Sequence, residues 1–488
     1  MDGITLEQGS QLNSQSRRTL SCCFYETWRD HYGICPSFQA RITGEVRIPA
    51  ESATVWEHSS GDGPSAFAGS LAIGYTEITQ VATKLRIVWS SCAAVLLVLL
   101  MVCPGAAAQA QDKAPNSPYR PHDPLNDAGF NRFYNLDFEH SVADFEKVVQ
   151  KYPDDSFAVN HLLTAVLFRE LYRMGALNSG EYANDSFLNA PHRAADPKVK
   201  TQVKELVDRA EKLEQQRLSA NPKDVDALYA SGVTRAQYST YTALIEHAWF
   251  SALRSAVGAR RDHEKVLELS PGYTDAKLVV GAHNYVLGSL PWAVKAAASM
   301  VGLGGSREKG LQYLQQCADA GGEAGTDAKV ILMVFLRREK KYDQALQIDH
   351  DLQGLYPQSS LLALEEANLL RAKGDTEGAI SAYRRVWQAG REGRYPNQHY
   401  ETAAMSLGDT LRGHKDYAGA ASAYELVNQA AQPYEDVKQK ANLAAGEMYD
   451  LLQKRDLAVK KYQEVIALNS GNEPAATARK FMKEAYRE

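Results

Sequence analysis

Residues 374–383 of the chain, Gly-Asp-Thr-Glu-Gly-Ala-Ile-Ser-Ala-Tyr, decide the fold because their pattern recurs. A Gly-Asp turn is followed by a helical segment that carries a small residue, Ala379, and an aromatic residue four positions later, Tyr383. Small residues recur in the same register at spacings of 34, 41 and 38 residues, at Ala345, Ala379, Ala420 and Ala458. Two of the other segments also carry the aromatic residue, at Tyr424 and Tyr462.

Glycine and proline stand at matching places around these segments. A glycine precedes the small residue by twelve positions at Gly408 and Gly446, and a proline follows one by twelve positions at Pro153 and Pro357. Small residues let paired helices approach closely, and proline ends a helix because it lacks an amide hydrogen. The sequence has no sustained alternation of apolar and polar residues, which is the pattern that predicts a strand. The pattern therefore predicts an all-α solenoid of stacked antiparallel helix pairs.

The recurring residues resemble the tetratricopeptide repeat, a helix-turn-helix unit of 34 residues. The same template extends towards the N-terminus with wider spacings, through Gly129, Phe138, Ser141, Phe145, Ala210, Pro222, Ala259, Pro271, Gly281 and Gly310. We therefore expect about eight units in residues 126–471, with insertions in units two to four. Residues 472–488 are expected to form a capping helix, because a solenoid must cover its last apolar face. The apolar stripe of this helix would contain Ala478, Phe481, Met482 and Ala485.

The overall composition is that of a globular protein. The 488 residues are 44% hydrophobic and 23% charged, which excludes wholesale disorder. The chain has 54 basic and 59 acidic residues and a net charge of −5, and the lack of a basic excess argues against a nucleic-acid partner. No glycine-rich phosphate loop, metalloprotease motif, nucleophile elbow or paired-cysteine spacing is present, so the sequence predicts no enzyme, cofactor or metal.

Residues 81–110 have the layout of a secretory signal peptide. Two basic residues precede an apolar run at residues 93–102, and the small residues that follow suit cleavage near Ala110. The predicted location is therefore a bacterial periplasm or cell envelope. Two alternatives remain open, an uncleaved membrane anchor and lipidation of Cys103.

The segments on either side are interpreted from this signal. Because a signal peptide belongs at the N-terminus, we interpret residues 1–80 as a non-native, disordered upstream extension. Residues 111–125 contain four prolines among polar residues, which predicts an extended linker. Cleavage would leave Cys317 as the only cysteine, so no internal disulfide is expected. Its place on an apolar helix face favours a buried packing residue over a reactive thiol.

Three histidines, His247, His263 and His283, fall in the third and fourth units and could meet across neighbouring helices. Such a cluster could bind a metal or serve an enzyme, but the spacing matches no standard ligand pattern. The simpler interpretation is three packing or surface histidines.

Residues 287–305 form an apolar stretch with Lys295 as its single charge. Pro291 should end the helix that begins near Thr274. The segment after it either packs as an extra helix inside the superhelix or contacts a membrane, which it is too short to span. With the residues up to Leu311, the stretch resembles a motif of the eukaryotic outer-membrane-associated tetratricopeptide proteins linked to inclusion-body clearance, which share a Leu-Pro step, an apolar helix and a Gly-x-Arg-x-x-Gly-Leu turn. The export signal departs from that family, so its function is not carried over.

The resemblance to tetratricopeptide repeats also implies a binding surface, because the first helix of each unit usually lines a groove that holds a peptide. Arginines recur at one position of these helices and could hold carboxylates bidentately. The predicted peptide-binding residues are Arg337, Asn368, Arg371, Asp409, Arg412 and Glu447. The alternative is that arginine simply ends these helices, where a cation interacts favourably with the helix dipole.

Together these observations predict an exported, non-catalytic scaffold that binds a partner protein or peptide in its concave groove. One alternative is a membrane-associated adaptor that makes peripheral contact through residues 287–305. A less favoured alternative is an enzyme with its site near the three histidines.

Overall fold

The computed structural model describes residues 117–178, 192–290, 292, 295 and 304–488. Within these residues the secondary structure is helical and includes no strand, which confirms the predicted fold class. All of them belong to one compact body, Ala108–Glu488. The predicted upstream extension, the signal peptide and the first six residues of the predicted linker lie outside the described residues.

Seventeen α-helices follow one another in the described residues, as eight consecutive pairs and one last helix. The pairs are α1 Pro124–Tyr134 with α2 Phe138–Lys151, α3 Ser156–Met174 with α4 Pro197–Ala220, α5 Val225–Leu244 with α6 Trp249–Leu269, α7 Lys277–Ser289 with α8 Arg307–Ala320, α9 Gly325–Arg338 with α10 Tyr342–Leu355, α11 Ser360–Lys373 with α12 Thr376–Arg391, α13 Glu401–Gly413 with α14 Tyr417–Leu426, and α15 Glu435–Leu451 with α16 Arg455–Leu468. The last helix is α17 Glu473–Lys483. Short 3-10 turns, Thr274–Ala276 and Val427–Gln429, precede α7 and follow α14. Each helix packs against the next along the chain, as a solenoid of helix pairs requires.

Local sequence explains where several helices begin and end. The side chains of Asp123, Asp155, Asp196 and Asp224 accept hydrogen bonds from first-turn amides of the helices that follow them. Proline opens α1 and α4, where its missing amide hydrogen costs nothing. The turn between α11 and α12 needs a left-handed residue, and Gly374 supplies it at φ 92°.

The recurring small and aromatic residues pack together inside each unit. A Cβ atom added to Gly408 would lie 2.4 Å from the ring of Tyr424, and one added to Gly446 would lie 2.5 Å from the ring of Tyr462. These distances are too short for a real Cβ contact, so glycine is required where the tyrosine ring crosses the first helix. The four alanines that recur in the same register of the repeats are fully buried: Ala345, Ala379, Ala420 and Ala458.

Units two and three contain longer helices than the later units. α4, α5 and α6 have 24, 20 and 21 residues, whereas α9, α10 and α11 have 14 each. The additional helical turns account for part of the wider spacing in the sequence. In the third unit the ring that crosses the first helix belongs to His263, which lies against Gly232.

Residues 117–125 differ from the predicted linker, because they pack against the repeats. Tyr119 is buried and its ring stacks on Phe130, with 4.0 Å between the centroids. The Nη1 atom of Arg120 lies 2.7 Å from Asp226 Oδ1 in the third unit. The linker prediction is therefore wrong for these residues. The prolines set an extended backbone, but the aromatic ring and the cation between them give that backbone fixed partners.

The first units lie against later ones, so the solenoid closes on itself. The Nε2 atom of Gln398, just before α13, donates a hydrogen bond to the carbonyl oxygen of Asn135 in the α1–α2 turn (2.9 Å). The amide of His399 donates to the hydroxyl oxygen of Tyr172 near the end of α3 (3.0 Å). These contacts join residues 263 and 227 positions apart, in units one and two and at the start of unit seven.

The last helix covers the apolar end of the eighth unit. Ala478, Phe481 and Met482, three residues of the predicted stripe, pack in one cluster with Tyr462 of α16. Ala485 lies outside the helix, which ends two residues before it. The chain beyond α17 is not helical, and its first residue, Glu484, has an extended backbone.

Candidate binding surface

Four of the six predicted binding residues lie on the first helices of units six to eight and reach the solvent in full or in part. We name Arg371 of α11, Asp409 and Arg412 of α13, and Glu447 of α15 the charged strip. Arg371 and Asp409 are exposed, and Arg412 and Glu447 are partly buried. Positive and negative side chains alternate along the strip, so it offers both donors and acceptors to a ligand.

An ion pair joins Arg412 and Glu447, the last two residues of the charged strip along the chain. The Nη1 atom of Arg412 donates to Oε2 of Glu447 in the next unit (2.8 Å). Burial raises the pKa of Glu447, and the neighbouring Arg412 opposes that shift. The pair joins α13 to α15, so these two side chains stabilise the stacking of units as well as facing solvent.

Arg371, the first residue of the charged strip along the chain, has no carboxylate partner within salt-bridge distance among the described residues. Its guanidinium lies 5.9 Å from the centroid of the Tyr383 ring, a loose cation–π contact. The hydrogen-bond donors of Arg371 therefore face solvent, where a ligand carboxylate could accept from them.

The other two predicted residues are buried. The Nη1 atom of Arg337 lies 3.0 Å from both carboxylate oxygens of Glu365, and both side chains are almost inaccessible. The Oδ1 atom of Asn368 accepts a hydrogen bond from the hydroxyl of Tyr383 (2.7 Å). The structure thus holds these two side chains by internal contacts and leaves the charged strip as the accessible part of the predicted set.

A tyrosine hydroxyl from the second helix meets the first helix in three successive units. Tyr383 donates to Asn368, Tyr424 to Asp409 and Tyr462 to Asp450, at 2.7, 2.8 and 2.8 Å. Asn368 and Asp409, which stand at the same repeat position, therefore have a structural use, and in unit eight Asp450 takes that use in place of Glu447. This use explains the first two polar residues without a ligand.

An apolar chamber of about 320 Å³ lies between the first three units and units five and six. Its wall from α9 includes Asp327, which accepts a hydrogen bond from the Tyr134 hydroxyl (2.8 Å). Burial raises the pKa of Asp327 to about 6. Apolar lining residues include Phe133, Phe168, Leu171, Met333, Leu362 and Leu364. The first helices of units five and six therefore face the chain's own N-terminal helices.

The three histidines do not form a common site. His263 is fully buried and its Nδ1 atom lies 2.8 Å from the Ala259 carbonyl oxygen. Burial lowers the pKa of His263 to about 4. The Nδ1 atom of His283 faces Arg260 at 3.3 Å instead. Within the described residues, which include all three histidines, no group of side chains could hold a metal ion.

Cys317 is buried in a small cluster with alanines of α8 and α9. Burial raises the pKa of its thiol to about 12, so the reactive thiolate form is disfavoured. The side chain therefore acts as a small packing residue.

Five large apolar side chains are exposed near the junction of units three and four. These side chains belong to α6, α7 and the segment after α7, and the two helices pack against each other through contacts that include Arg260 and His283. Trp292 is 84% exposed and Phe250 is 82% exposed. We name the set the apolar patch: Trp249, Phe250, Leu253, Val286 and Trp292.

Helix α7, which includes the first three residues of the apolar stretch 287–305, ends at Ser289, as expected from the proline at position 291. Most of the apolar segment itself, including Val294 and Met300, lies outside the described residues. Among the described helices, none is long and apolar enough to cross a membrane.

Comparison with known proteins agrees with this repeat geometry. Residues 234–395, about a third of the chain, match the family model described as Iml2/Tetratricopeptide repeat protein 39. The chain contains tetratricopeptide repeats. The matched segment extends over units three to six. It contains residues 287–311, whose sequence resembles the motif of the outer-membrane-associated tetratricopeptide proteins described above. Proteins built from such repeats are in general interaction scaffolds.

Several solved structures are similar to this chain only in outline. They include pilF of Pseudomonas aeruginosa (14% identity, 51% of this chain and 97% of that chain covered, TM-score 0.32), a tetratricopeptide repeat protein from Parabacteroides merdae (13%, 66% and 97%, 0.31) and yeast Tom70 (13%, 75% and 89%, 0.32). Superpositions with such scores carry no argument about function. No curated protein matches the sequence.

Sequence reasoning missed two features of this surface. Asp450 and Arg455 form an ion pair (2.8 Å) beside the charged strip. Residues 484–488, after α17, lie against the same region through Tyr486 and Glu488. The sequence carries no signal for the second feature, because the resemblance predicts a cap at this end of the solenoid and no ligand-like segment.

Proposed function

We propose that the chain is an exported, non-catalytic scaffold that binds a partner protein or peptide on the charged strip. The observation that carries the proposal is the exposure of Arg371 and Asp409 on neighbouring first helices. An arginine can hold a carboxylate, and an aspartate can accept a backbone amide, so the two suit an extended peptide. Stacked repeats bind through such surfaces because each unit adds a few contacts.

The chamber restricts where a partner can bind. First helices of units five and six face the N-terminal helices across the chamber, whereas units seven and eight turn charged side chains to solvent. The proposed binding surface is therefore the strip on units six to eight and not the full length of a groove.

Affinity capture from a cell-envelope extract tests this surface. Full-length chain, Arg371→Glu and the control Arg384→Glu serve as bait; Arg384 is an exposed arginine on the second helix of the same unit. Reversing the charge of Arg371 should reduce partner recovery by roughly tenfold, the effect of about 1.4 kcal/mol in binding. Arg384→Glu should capture as the wild type does. Equal recovery with all three baits would contradict binding on the strip.

Export is supported by the sequence of residues 81–110, with its basic, apolar and small-residue regions. The buried Cys317 is the single cysteine after the proposed cleavage site, so an oxidising compartment would not cross-link the fold.

N-terminal sequencing of the native protein from fractionated cells tests export. A chain that begins at Gln109 or Gln111 in the periplasmic fraction would support the proposal. A chain that begins at Met1 in the cytoplasmic or membrane fraction would contradict it.

A membrane-associated adaptor is the second candidate, and the apolar patch favours it. Exposed tryptophan and phenylalanine side chains prefer the interface between membrane and water. Residues 247–261 and 276–307 contain several basic residues and no acidic residue. An anionic membrane surface would attract such a charge distribution.

Vesicle co-sedimentation tests the second candidate. Binding of the full chain to vesicles containing phosphatidylserine should fall at least severalfold in Phe250→Ser with Trp292→Ser, because two exposed aromatic anchors are removed. Leu355→Ser, a change of an exposed leucine outside the patch, should bind as wild type does. Equal binding by all three proteins would contradict a role of the patch.

A further inference from the structure

Residues 484–488, Glu-Ala-Tyr-Arg-Glu, follow α17 as a non-helical segment that contacts Arg412 of the charged strip. The backbone is extended at Glu484, directly after α17. The amide of Tyr486 donates a hydrogen bond to Oδ2 of Asp450 (2.8 Å). An aspartate on a first helix therefore binds a backbone amide of this segment, as a peptide-binding groove would.

Arg412 binds the tyrosine of this segment. Its Nη2 atom donates to the hydroxyl oxygen of Tyr486 (2.8 Å), and its guanidinium lies 5.6 Å from the centroid of the Tyr486 ring. The ring also meets Phe481 of α17 edge-on, at 5.2 Å between centroids. One arginine of the charged strip thus recognises both the ring and the hydroxyl group.

Two groups of α13 and α14 bind the acidic residue two positions later. The hydroxyl of Tyr417 donates to Oε2 of Glu488 (2.7 Å). The Nε atom of Arg412 lies 3.9 Å from Oε1 of Glu488. The surface therefore provides separate partners for a backbone amide, a tyrosine and a carboxylate.

The segment is held in a way that permits exchange. Tyr486 is half-buried, and Arg487 and Glu488 are exposed. Its side-chain contacts are polar apart from the ring contact, and side-chain contacts of this kind at a surface contribute little each. A segment of the same chemistry from another protein could replace it contact for contact.

We propose that the charged strip recognises an extended segment with a tyrosine followed two residues later by an acidic residue, and that residues 484–488 occupy this site until a partner displaces them. The proposal rests on the proposed function, because it names the chemistry of the partner. An intramolecular competitor on a short connection acts at an effective concentration of about millimolar. It therefore lowers the apparent affinity for a partner by the fraction of time that the site is filled.

Fluorescence anisotropy with a labelled peptide Glu-Ala-Tyr-Arg-Glu tests the proposal. The peptide should bind the double variant Tyr486→Ala with Glu488→Gln roughly tenfold more tightly than the wild-type chain, since the competitor is weakened. A peptide with alanine in place of tyrosine should not bind the double variant. Adding Arg412→Gln to the double variant should abolish binding, and adding Arg384→Gln should leave it unchanged.

Two results would overturn the proposal. Equal affinity of the wild-type chain and the double variant would show that residues 484–488 do not compete for the site. Failure of the double variant to bind the peptide, with an unchanged circular dichroism spectrum and melting temperature, would show that the motif is wrong. If envelope partners were still lost with Arg371→Glu in either case, the proposed function would stand and only this inference would fail.

Discussion

At the scale of single residues, three units share one contact between a glycine and an aromatic ring. Gly129 meets Phe145, Gly408 meets Tyr424 and Gly446 meets Tyr462, and in every case the two residues are sixteen positions apart. A contact inside one unit at a fixed separation leaves a sequence pattern, so this part of the fold could be predicted. In the third unit Gly232 and His263 are 31 positions apart because the helices are longer, and the pattern missed the role of the histidine.

The glycine at position 408 should tolerate no side chain. Gly408→Ala should lower the free energy of unfolding by about 1–3 kcal/mol, because the new methyl group overlaps the ring of Tyr424. Gly413→Ala in the same helix is the control, since a Cβ atom there meets nothing within 4 Å. The control should be neutral or stabilising by up to about 1 kcal/mol. Urea unfolding measures both, and equal stabilities would contradict the packing described for α13.

The buried His263 should make the fold sensitive to acid. Its pKa is lowered to about 4 in the folded chain, from 6.5, so protons bind preferentially to the unfolded chain. The stability associated with this group is complete above pH 6.5 and is lost as the pH falls through 4, by roughly 3 kcal/mol in total. His263→Phe should remove this loss, because phenylalanine fills the same place in the first unit.

Urea unfolding of wild type and His263→Phe at several pH values between 7 and 4 measures the effect. The difference in stability between the two proteins should change by roughly 3 kcal/mol over this range. His140→Phe, which replaces an exposed histidine, should follow the wild type. A pH-independent difference between wild type and His263→Phe would show that His263 is not buried in the neutral form.

At the scale of structural elements, residues 117–123, before α1, pack against the repeats and do not form a free linker. We name this segment the strap. The guanidinium of Arg120 lies 4.1 Å from the centroid of the Phe157 ring and contacts Asp226 and Glu323. These acidic partners lie 106 and 203 positions away in the sequence. No local pattern signals contacts across such separations, so composition alone gave the wrong prediction for this element.

Removing the charge of this strap should destabilise the fold. Arg120→Gln should lower the free energy of unfolding by about 2 kcal/mol, because the largely buried Glu323 would lose the guanidinium and keep only His161 as a close partner. Arg169→Gln is the matched control, because its partner Glu139 is largely exposed and such pairs contribute less than about 1 kcal/mol. Thermal unfolding measures both, and equal melting temperatures for the two variants would contradict a structural role for the strap.

At the scale of the whole molecule, the solenoid closes through contacts between the first units and units five to eight. Stacking of consecutive units could be predicted from the repeat pattern, because each unit contacts its neighbours. Closure depends on small rotations summed over several units and on the longer helices of units two and three. The repeat pattern of the sequence does not give the total rotation between the first and the later units. Arg337 is buried against Glu365 of the next unit and Asn368 against Tyr383 of its own unit, and the repeat pattern does not distinguish them from the exposed Arg371 and Asp409, which is why only part of the binding surface could be predicted.

Closure should make unfolding cooperative. Gln398 is buried, donates to the carbonyl oxygens of Asn135 and Gln358, and accepts from the amide of Ser360. Gln398→Ala should therefore cost about 2 kcal/mol, because three backbone groups, two of them in the buried residues Asn135 and Ser360, lose their partner. It should also split one urea transition into two, as the first units separate from the later ones. Gln347→Ala, on the exposed side of α10, should retain one transition at the wild-type midpoint.

Intramolecular photo-crosslinking tests most directly the central claim, that the solenoid closes on itself and leaves the charged strip as its open surface. The amide of Gln358 donates to Asn135 Oδ1 across the closure (2.9 Å), and a photoreactive benzoylphenylalanine replaces Gln358. We expect peptide mass spectrometry to find a crosslink to the α1–α2 turn within one chain, and none when Gln347 is replaced instead. Crosslinks confined to units five to seven would show an open solenoid and contradict the account.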